Sequence, residues 1–393
     1  MPDDLLIPAG HRLLHIGPPK TATTAVQSGF HHNRESLAEQ GVHYAGPGRQ
    51  PMAAALAVAT GRRVPGFGRD SEGRWDELVE EVRAARAPRV VVSSEFFADG
   101  DDDAVARVLD GLGAGRTRVV VTLRSVAQIL PSQWQQLTQD RWPTPYDEWL
   151  HRELDGTLPD GTAPGFWRRH RHDVLVRRWA EAVGPENLTV VLAERSEPDR
   201  VVHVFEDMAG LRRGTLQPSP EDANRSLTAA EAALTRAISA EFRRRDDLDE
   251  RAYHYLYRYG LASYLKQRET EPDEEPVTTP TWAVERAQQV GADAAEVIAG
   301  LGVRVIGDLG SLTEPPRAVG DAAEPDVLPV DLAARAAIGV GLGALRLVDR
   351  RERVTARKVA RETRRQDRAE KGVRLREASV REIVGELRRR ARR

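Results

Sequence analysis

The sequence predicts an α/β protein, a three-layer sandwich with a central parallel β-sheet, followed by a helical, basic C-terminal extension. Near-continuous apolar runs of strand length are typical of strands buried on both faces of a parallel sheet, and they occur at residues 12–17, 87–97, 117–124, 186–194 and 303–309. Helical patterns separate these runs, and strands that alternate with helices indicate a doubly wound sheet. With 393 residues, of which 40% are hydrophobic, the chain can bury a large core.

Each predicted helix lies between two of these runs. The first is predicted from about Thr21 to Gln40, and others are predicted at residues 74–86, 126–140, 171–183 and 198–210. Residues 228–266 are typical of long helices with charged outer faces. We therefore expect an α/β domain over residues 10–315, a Pro-containing linker over 316–330 and a helical extension over 331–393.

The charge of the chain is unevenly distributed. Residues 346–393 contain 19 Lys and Arg against 8 Asp and Glu, a net charge of +11, whereas the rest holds 39 against 52, a net charge of −13. A solvated helix with i,i+4 ion pairs, a membrane-surface contact and a self-associating helix are the three interpretations of this basic segment. Nucleic acid is not an expected partner, because no aromatic residues are interleaved with the arginines.

Several classes of protein are disfavoured by composition. The chain has no cysteine, which excludes disulfides and cysteine-based metal or redox sites. The N-terminus has no basic start followed by an apolar core, and the uncharged apolar window at residues 336–345 is too short to span a bilayer. The expectation is a cytoplasmic protein, with contact at the inner membrane surface as the alternative location.

The stretch HIGPPKTATTAVQ, which runs from His15 to Gln27, predicts an anion-binding cradle. A strand, a tight loop and a helix start follow one another, and the first N–H groups of a helix have no partners within it. Lys20 adds a positive charge, and hydroxyl donors follow it at Thr21, Thr23 and Thr24. The alternative interpretation is an ordinary helix start capped by threonine.

The same stretch departs from the phosphate-binding loop of nucleotide hydrolases. That loop has the pattern G-x-x-x-x-G-K-[ST], whereas here Pro19 precedes the lysine and Gly17 lies three positions before it. The order P-K-T-x-T-T instead resembles the 5′-phosphosulfate loop of sulfotransferases, whose donor is 3′-phosphoadenosine 5′-phosphosulfate (PAPS). The family has glycine where this chain has Ala22, and alanine there is tolerated in a helical backbone but strained at positive φ.

A second motif follows the third apolar run. Arg124 ends the predicted strand, and Ser132 lies eight residues later inside the predicted helix. A guanidinium can hold a phosphate through two N–H donors, although an arginine at a strand end is more often a surface residue. Sulfotransferases place an arginine and a serine with this spacing, and both bind the 3′-phosphate of the donor.

The resemblance extends over residues 10–315. Segments 166–194, 224–231 and 303–312 are similar to bacterial, actinobacterial-type sulfotransferases with a fold related to that of P-loop nucleotide hydrolases. The resemblance implies PAPS as the sulfate donor without a metal. It also implies a donor site made of Pro19, Lys20, Thr21, Ala22, Thr23, Thr24, Arg124 and Ser132.

The resemblance and general chemistry together suggest catalytic roles. Lys20 would stabilise the leaving phosphate oxygen, and Glu95, where an apolar run meets a polar end, would act as the general base; a structural role for Glu95 is the equal alternative. Candidates for a third donor anchor are residues 211–214 and Arg225. His15 is expected to be a hydrogen-bonded core residue, whereas two histidines among arginines are expected to be solvated, namely His170 and His172.

Three functions are therefore compared. The leading one is transfer of a sulfuryl group to a hydroxyl or amine acceptor such as a carbohydrate, a glycolipid, a peptide tyrosine or a small natural product. The second is a nucleotide-dependent kinase or hydrolase of related fold, against which the missing G-K-[ST] pattern argues. The third is a non-catalytic scaffold that retains the fold and uses the basic segment for partners.

Overall fold

Six parallel strands form one central sheet. The structure is a computed structural model that describes residues 5–61, 73–139, 143–155, 165–217, 219, 225–245, 249–271, 274–321, 324–325 and 327–377. In chain order the strands are β1 (His11–His15), β2 (Val42–Tyr44), β3 (Arg89–Ser93), β4 (Thr117–Leu123), β5 (Leu188–Leu192) and β6 (Arg304–Ile306). Their spatial order is β2-β3-β1-β4-β5-β6, and every neighbouring pair is parallel.

Helices connect the strands and continue beyond the sheet. They are α1 (Thr23–His32), α2 (Arg34–Glu39), α3 (Met52–Thr60), α4 (Arg74–Ala84), α5 (Asp102–Leu112), α6 (Val126–Thr138), α7 (Tyr146–Leu154), α8 (Gly165–His170), α9 (His172–Val183), α10 (Arg200–Ala209), α11 (Ala229–Arg243), α12 (Glu250–Tyr253), α13 (Ser263–Lys266), α14 (Thr281–Gly300) and α15 (Val330–Glu377). Between α12 and α13 a π-helix spans His254–Ala262. Short 3-10 turns cover Glu95–Asp99, Ala114–Arg116, Pro185–Asn187 and Leu309–Thr313.

The sheet is covered by helices on both faces, which makes the three-layer sandwich. Successive side chains of a strand point to opposite faces, so Leu13 and Leu14 of β1 belong to two different hydrophobic clusters. Leu14 packs in the cluster formed with α3, α4, α5, α9 and α14. Leu13 packs in the cluster formed with α1, α2 and α10. Burial on both faces explains the continuous apolar runs in the sequence.

All five predicted strands are present, and β2 is a further strand that the sequence did not reveal. It has only three residues, too few for a periodic pattern. The single helix predicted over residues 21–40 is instead α1 and α2, which meet at Asn33. The Asn33 side-chain amide donates 2.7 Å to the Gly29 carbonyl oxygen, and it therefore satisfies a group that a continuous helix would have used.

The chain divides into two compact units. The first comprises Met1–Ala240 with Glu269–Leu328, and the second comprises Glu241–Arg268 with Pro329–Arg393. The sequence-based division assigned residues 241–268 to the α/β domain, whereas here they pack with α15. Glycines allow this close packing, since a Cβ at Gly343 would overlap the Tyr255 carbonyl oxygen and one at Gly339 would lie 2.9 Å from the Leu261 Cα.

None of the helices in the described ranges is both long and apolar enough to cross a membrane.

Replacement of a ring that supports β1 tests the packing beneath the site. Phe205 of α10 is fully buried, and its ring meets the His15 ring edge-on at a centroid distance of 4.8 Å. Phe205→Ala should lower the free energy of unfolding by about 3–5 kcal/mol, because it leaves a cavity in the core. Urea unfolding measures this, with Val202→Ala on the same helix as a milder control. Equal losses in the two variants would contradict this packing.

Candidate functional site

Between β1 and β4, the chain changes the side of the sheet on which it adds successive strands. These strands are neighbours, with His15 paired to Val120, but the chain leaves β1 toward β2 on one side and leaves β4 toward β5 on the other. In open parallel sheets the connections separate at such a point and leave a crevice at the carboxyl ends of the strands, where ligands bind. Lys20 follows β1 and Arg124 follows β4 at this edge. Lys20 and Arg124 therefore follow neighbouring strands at the same edge of the sheet.

The loop after β1, residues 17–22, has an unusual backbone and is called the Lys20 loop below. Lys20 has φ 72° and Ala22 has φ 69°, both in the left-handed region. Ala22 is thus in the strained conformation rather than the helical one, since a Cβ disfavours this region by about 1–2 kcal/mol. The Thr21 hydroxyl lies on the inside of the loop and donates to the Pro18 carbonyl oxygen at 2.7 Å.

The loop leads directly into the N-terminus of α1. Ala22 occupies the N-cap position, where its methyl group accepts no hydrogen bond, and the first turn has no acidic residue. Thr23 is buried and Thr24 is partly exposed. The N–H groups and dipole of the first turn favour an anion, and the predicted anion-binding role of this helix start stays a prediction. The expectation that the Thr21 hydroxyl faces the ligand is corrected, because this hydroxyl is turned inward to Pro18 and Thr122.

Buried side chains beneath the loop form hydrogen bonds across three strands. His15 Nδ1 lies 2.8 Å from the Ser93 hydroxyl of β3, and His15 Nε2 lies 3.1 Å from the Thr122 hydroxyl of β4. The Thr122 hydroxyl is also 2.8 Å from that of Thr21. Burial lowers the pKa of His15 to about 3, so its ring is neutral at pH 7. The prediction of a hydrogen-bonded core histidine is confirmed.

Gly17 leaves room for these contacts. A Cβ at this position would overlap the Thr122 hydroxyl and would lie 2.8 Å from His15 Nε2. The glycine is therefore required by the close approach of the Lys20 loop to β4 and not by a positive φ.

Glu95 follows β3 and is held by two amide donors. The side-chain amide of Gln27, from α1, donates to one carboxylate oxygen at 2.7 Å, and that of Gln50 donates to the other at 3.1 Å. The Ser94 hydroxyl donates to the Gln50 carbonyl oxygen at 2.7 Å. A carboxylate oxygen has two lone pairs, so each can accept a further hydrogen bond. The helix that starts at the Lys20 loop thus also orients Glu95.

An ion pair between Arg169 and Asp99 lies near Glu95, and two buried histidines follow Arg169 in the chain. Arg169 binds Asp99 through two hydrogen bonds of 2.6 and 2.7 Å, and the negative charges of Asp99 and Glu95 raise the pKa of Arg169 despite its burial. The expectation that His170 and His172 are solvated is wrong, since each is only 1% exposed. Burial, followed by the charges of His172, Arg169 and Lys20, lowers the pKa of His170 well below its usual value.

Arg124 lies in a group of three arginines, called the arginine cluster below, with Arg195 and Arg317. Burial lowers the pKa of Arg124, as do the positive charges of Arg195 and Arg317, while Glu314 opposes this. Arg124 Nε donates to the Gln128 side-chain carbonyl at 2.8 Å, and the Gln128 amide donates to Glu314 at 2.8 Å. Arg124 is half-buried, whereas Arg195 and Arg317 are exposed, so this edge of the sheet carries a concentration of positive charge that favours an anion.

The sequence did not point to Arg195 or Arg317. Among its candidates for a third anchor, Arg225 binds Glu231 through two hydrogen bonds of 2.6 Å and Arg213 pairs with Asp207 at 2.9 Å, while Arg212 is exposed. Arg195 comes shortly after β5, and a basic residue just past a strand end was a signal that could have identified it. Arg317 lies in the segment interpreted as a linker and carries no such signal.

Ser132 lies in α6, eight residues beyond Arg124, and is partly exposed. Its role in binding the 3′-phosphate stays a prediction. Within the described ranges no group of three or more His, Asp or Glu side chains is arranged to hold a metal ion.

Comparison with known proteins finds similarity to solved structures but not to known sequences. No protein-family model matches the chain, and no curated protein sequence matches it. Among solved structures, the chain is similar to a sulfotransferase from Alicyclobacillus acidocaldarius, with a TM-score of 0.44 and 15% sequence identity, covering 75% of this chain and 96% of that one. A similarity of this degree carries no functional conclusion for this chain.

Removal of the Ala22 methyl group tests the strain in the Lys20 loop. Ala22→Gly should raise the free energy of unfolding by up to about 1 kcal/mol, because glycine removes the left-handed penalty while its greater freedom in the unfolded chain offsets part of the gain. Ala25→Gly, in the first turn of α1, is the matched control and should lower it by about 1 kcal/mol. Urea unfolding of both variants measures this, and two losses of equal size would contradict the strain.

Buried neutral histidines should make the chain less stable as the pH falls from 7 to 5. An unfolded imidazole takes up a proton near pH 6.5, whereas burial lowers the pKa of His15 to about 3 and that of His172 to about 4. Unfolding therefore takes up protons in this window, which lowers the free energy of unfolding by about 2 kcal/mol per histidine at pH 5.

Denaturant unfolding of the wild type and His15→Gln at both pH values measures this effect. The variant should lose about 2 kcal/mol less than the wild type between pH 7 and pH 5, because it lacks one of the titrating groups. An unchanged pH dependence would show that His15 is not held neutral.

Proposed function

We propose that the chain is a sulfotransferase that binds PAPS in the crevice between β1 and β4. The observation that carries this proposal is the pair of cationic regions that flank one topological switch point. The Lys20 loop with the start of α1 forms one region, and the arginine cluster forms the other. Thr21, next to Lys20, contacts Thr122, two residues before Arg124, so the two regions share one edge of the sheet. A nucleotide with phosphate groups at both its 3′ and 5′ positions matches this arrangement.

Electrostatic cost supports a ligand with a separate phosphate at the arginine cluster. Burial and then the charges of Arg195 and Arg317 lower the pKa of Arg124, and burial and then the charge of Arg317 lower that of Arg195. The guanidinium groups repel one another, although solvent screens the exposed Arg195 and Arg317. Glu314 compensates only part of this charge. A phosphate group would relieve the repulsion and could accept hydrogen bonds from more than one guanidinium.

The residues of the Lys20 loop suit the chemical step. The donor supplies the sulfuryl group: the acceptor oxygen bonds to sulfur while the bond between sulfur and the phosphate oxygen breaks. Lys20 and the first N–H groups of α1 would stabilise the negative charge that develops on that phosphate oxygen. Glu95 would accept the proton of the acceptor hydroxyl, because its carboxylate is held in place by Gln27 and Gln50.

The nucleotide kinase alternative is disfavoured by the orientation of one hydroxyl. In P-loop hydrolases the hydroxyl that follows the lysine binds Mg²⁺. Here that hydroxyl belongs to Thr21, which donates to Pro18 and contacts Thr122 on the inside of the loop.

Metal dependence separates the two functions, since sulfuryl transfer should survive EDTA, whereas nucleotide hydrolysis should not. A scaffold that retains the fold would bind the donor without turnover. The acceptor class stays open among the hydroxyl and amine compounds named above.

Calorimetry with adenosine 3′,5′-bisphosphate (PAP), the spent donor, tests donor binding. We expect the full chain to bind PAP more tightly than ATP or ADP. Arg124→Ala should weaken PAP binding by about 2–4 kcal/mol because a partly buried guanidinium contact is lost. Arg213→Ala, which removes an arginine paired with Asp207 outside the crevice, is the control. Equal affinity of wild type and Arg124→Ala for PAP would contradict the assignment of the arginine cluster.

Turnover separates the roles of Lys20 and Glu95. Lys20→Ala should nearly abolish sulfuryl transfer, because it removes the charge at the leaving oxygen, while Lys266→Ala in the second unit should not. Glu95→Gln should reduce turnover by roughly 10²-fold or more and leave PAP affinity nearly unchanged, because it removes only the base. Radiolabelled sulfate transfer to a panel of hydroxyl acceptors measures both. Unchanged turnover in Glu95→Gln would eliminate Glu95 as the base.

A further inference from the structure

The hydrogen bonds beneath the Lys20 loop have a direction that can be deduced from one end. The Pro18 carbonyl oxygen can only accept a hydrogen bond, so the Thr21 hydroxyl donates its single proton to this oxygen. Thr122 must then donate to Thr21 at 2.8 Å, and His15 must donate to Thr122 at 3.1 Å. The neutral His15 ring therefore carries its proton on Nε2.

This tautomer also fixes the direction of the hydrogen bond between His15 and Ser93. Nδ1 of a neutral Nε2-protonated imidazole is an acceptor, so the Ser93 hydroxyl donates to it at 2.8 Å. Ser93, His15, Thr122 and Thr21 are all fully buried. They form one directional relay that runs from β3 through β1 and β4 into the Lys20 loop.

The relay ends where the backbone is strained. Thr21 lies between Lys20 and Ala22, and both neighbours have positive φ. Such conformations persist only where the surrounding structure over-determines them. The Thr21 hydroxyl closes the loop through Pro18 and ties its centre to β4 through Thr122.

We propose that His15, as the Nε2-protonated tautomer, is a positioning residue that orients the Thr122 hydroxyl and through it holds Thr21 and the Lys20 loop in their ligand-binding conformation. His15 does not touch the ligand. It acts by supplying a donor of fixed direction in the core, and Gly17 provides the space for that donor to reach Thr122. Only the ligand readout below rests on the proposed function.

Nitrogen-15 NMR of the histidine rings in the full chain tests the tautomer directly. Comparison with His15→Gln assigns the ring. We expect the shifts of a neutral, Nε2-protonated imidazole that does not titrate between pH 8 and pH 5. An Nδ1-protonated ring, or titration near pH 6.5, would overturn the proposal.

A double-mutant cycle tests whether His15 acts on Thr21, which it does not contact. His15→Leu, Thr21→Val and the double variant are compared by denaturant unfolding. We expect the effects to be non-additive by a factor of about 5 or more in the unfolding equilibrium constant, because both changes break the same relay. Additive effects would overturn the proposal. If His15→Leu does not fold, Ser93→Ala replaces it, because Ser93 lies at the far end of the relay and likewise does not contact Thr21.

PAP binding measures the consequence for the ligand site. Thr122→Val should weaken PAP binding about tenfold, because the loop loses its anchor. The single variants Thr122→Ser and His15→Gln should each bind PAP within about threefold of the wild-type affinity, because each retains a hydrogen-bond donor. Thr117→Val is the matched control, since this buried β4 threonine donates to the Gly113 carbonyl oxygen outside the relay. Equal affinities of Thr122→Val and Thr117→Val would overturn the proposal. A wild type that does not bind PAP would contradict the proposed function, and the NMR and the cycle then decide on the relay alone.

Discussion

The candidate site depends on a short loop that two neighbouring strands hold in an unfavourable backbone conformation. Lys20 and Ala22 both have positive φ, and Thr21 between them is bound on its inner side to Pro18 and Thr122. The parallel pairing of β1 with β4 fixes the distance over which these contacts form. The Thr21 hydroxyl on the inner side of the loop is hydrogen-bonded within the protein. The groups that the loop can present to a ligand are therefore the Lys20 side chain and the N–H groups at the start of α1.

One edge of the sheet carries a concentration of positive charge. Outside residues 346–393 the chain carries a net charge of −13, yet the ends of β1, β4 and β5 bring Lys20 and the arginine cluster to one edge of the sheet. This concentration of positive charge attracts anions to one edge of the sheet, whereas the acidic remainder of the chain repels them. Glu95, held by two amides, is the carboxylate that this arrangement keeps beside the crevice.

The sequence predicted those features that arise from local patterns. Continuous apolar runs predicted every long strand because burial on both faces demands them, and the motif around Lys20 predicted a loop and helix start. The sequence did not reveal β2, which is too short for a periodic pattern, or the break between α1 and α2 at Asn33. It also did not reveal the burial of His170, which depends on contacts between residues far apart in the chain. His170 follows a run of arginines, and Arg169 can be near the core only because it pairs with Asp99, 70 residues away. Arg317 joins the site from a segment whose composition indicates a linker.

The affinities of the full chain for PAP and for adenosine 5′-monophosphate, measured by calorimetry, test the central claim most directly. The two ligands differ only in the 3′-phosphate, so their ratio isolates the arginine cluster from the Lys20 loop. A partly buried phosphate contact predicts that the wild type favours PAP by at least tenfold and that Arg124→Ala removes most of this preference. Equal affinities in the wild type would contradict a site in which both cationic regions bind one nucleotide.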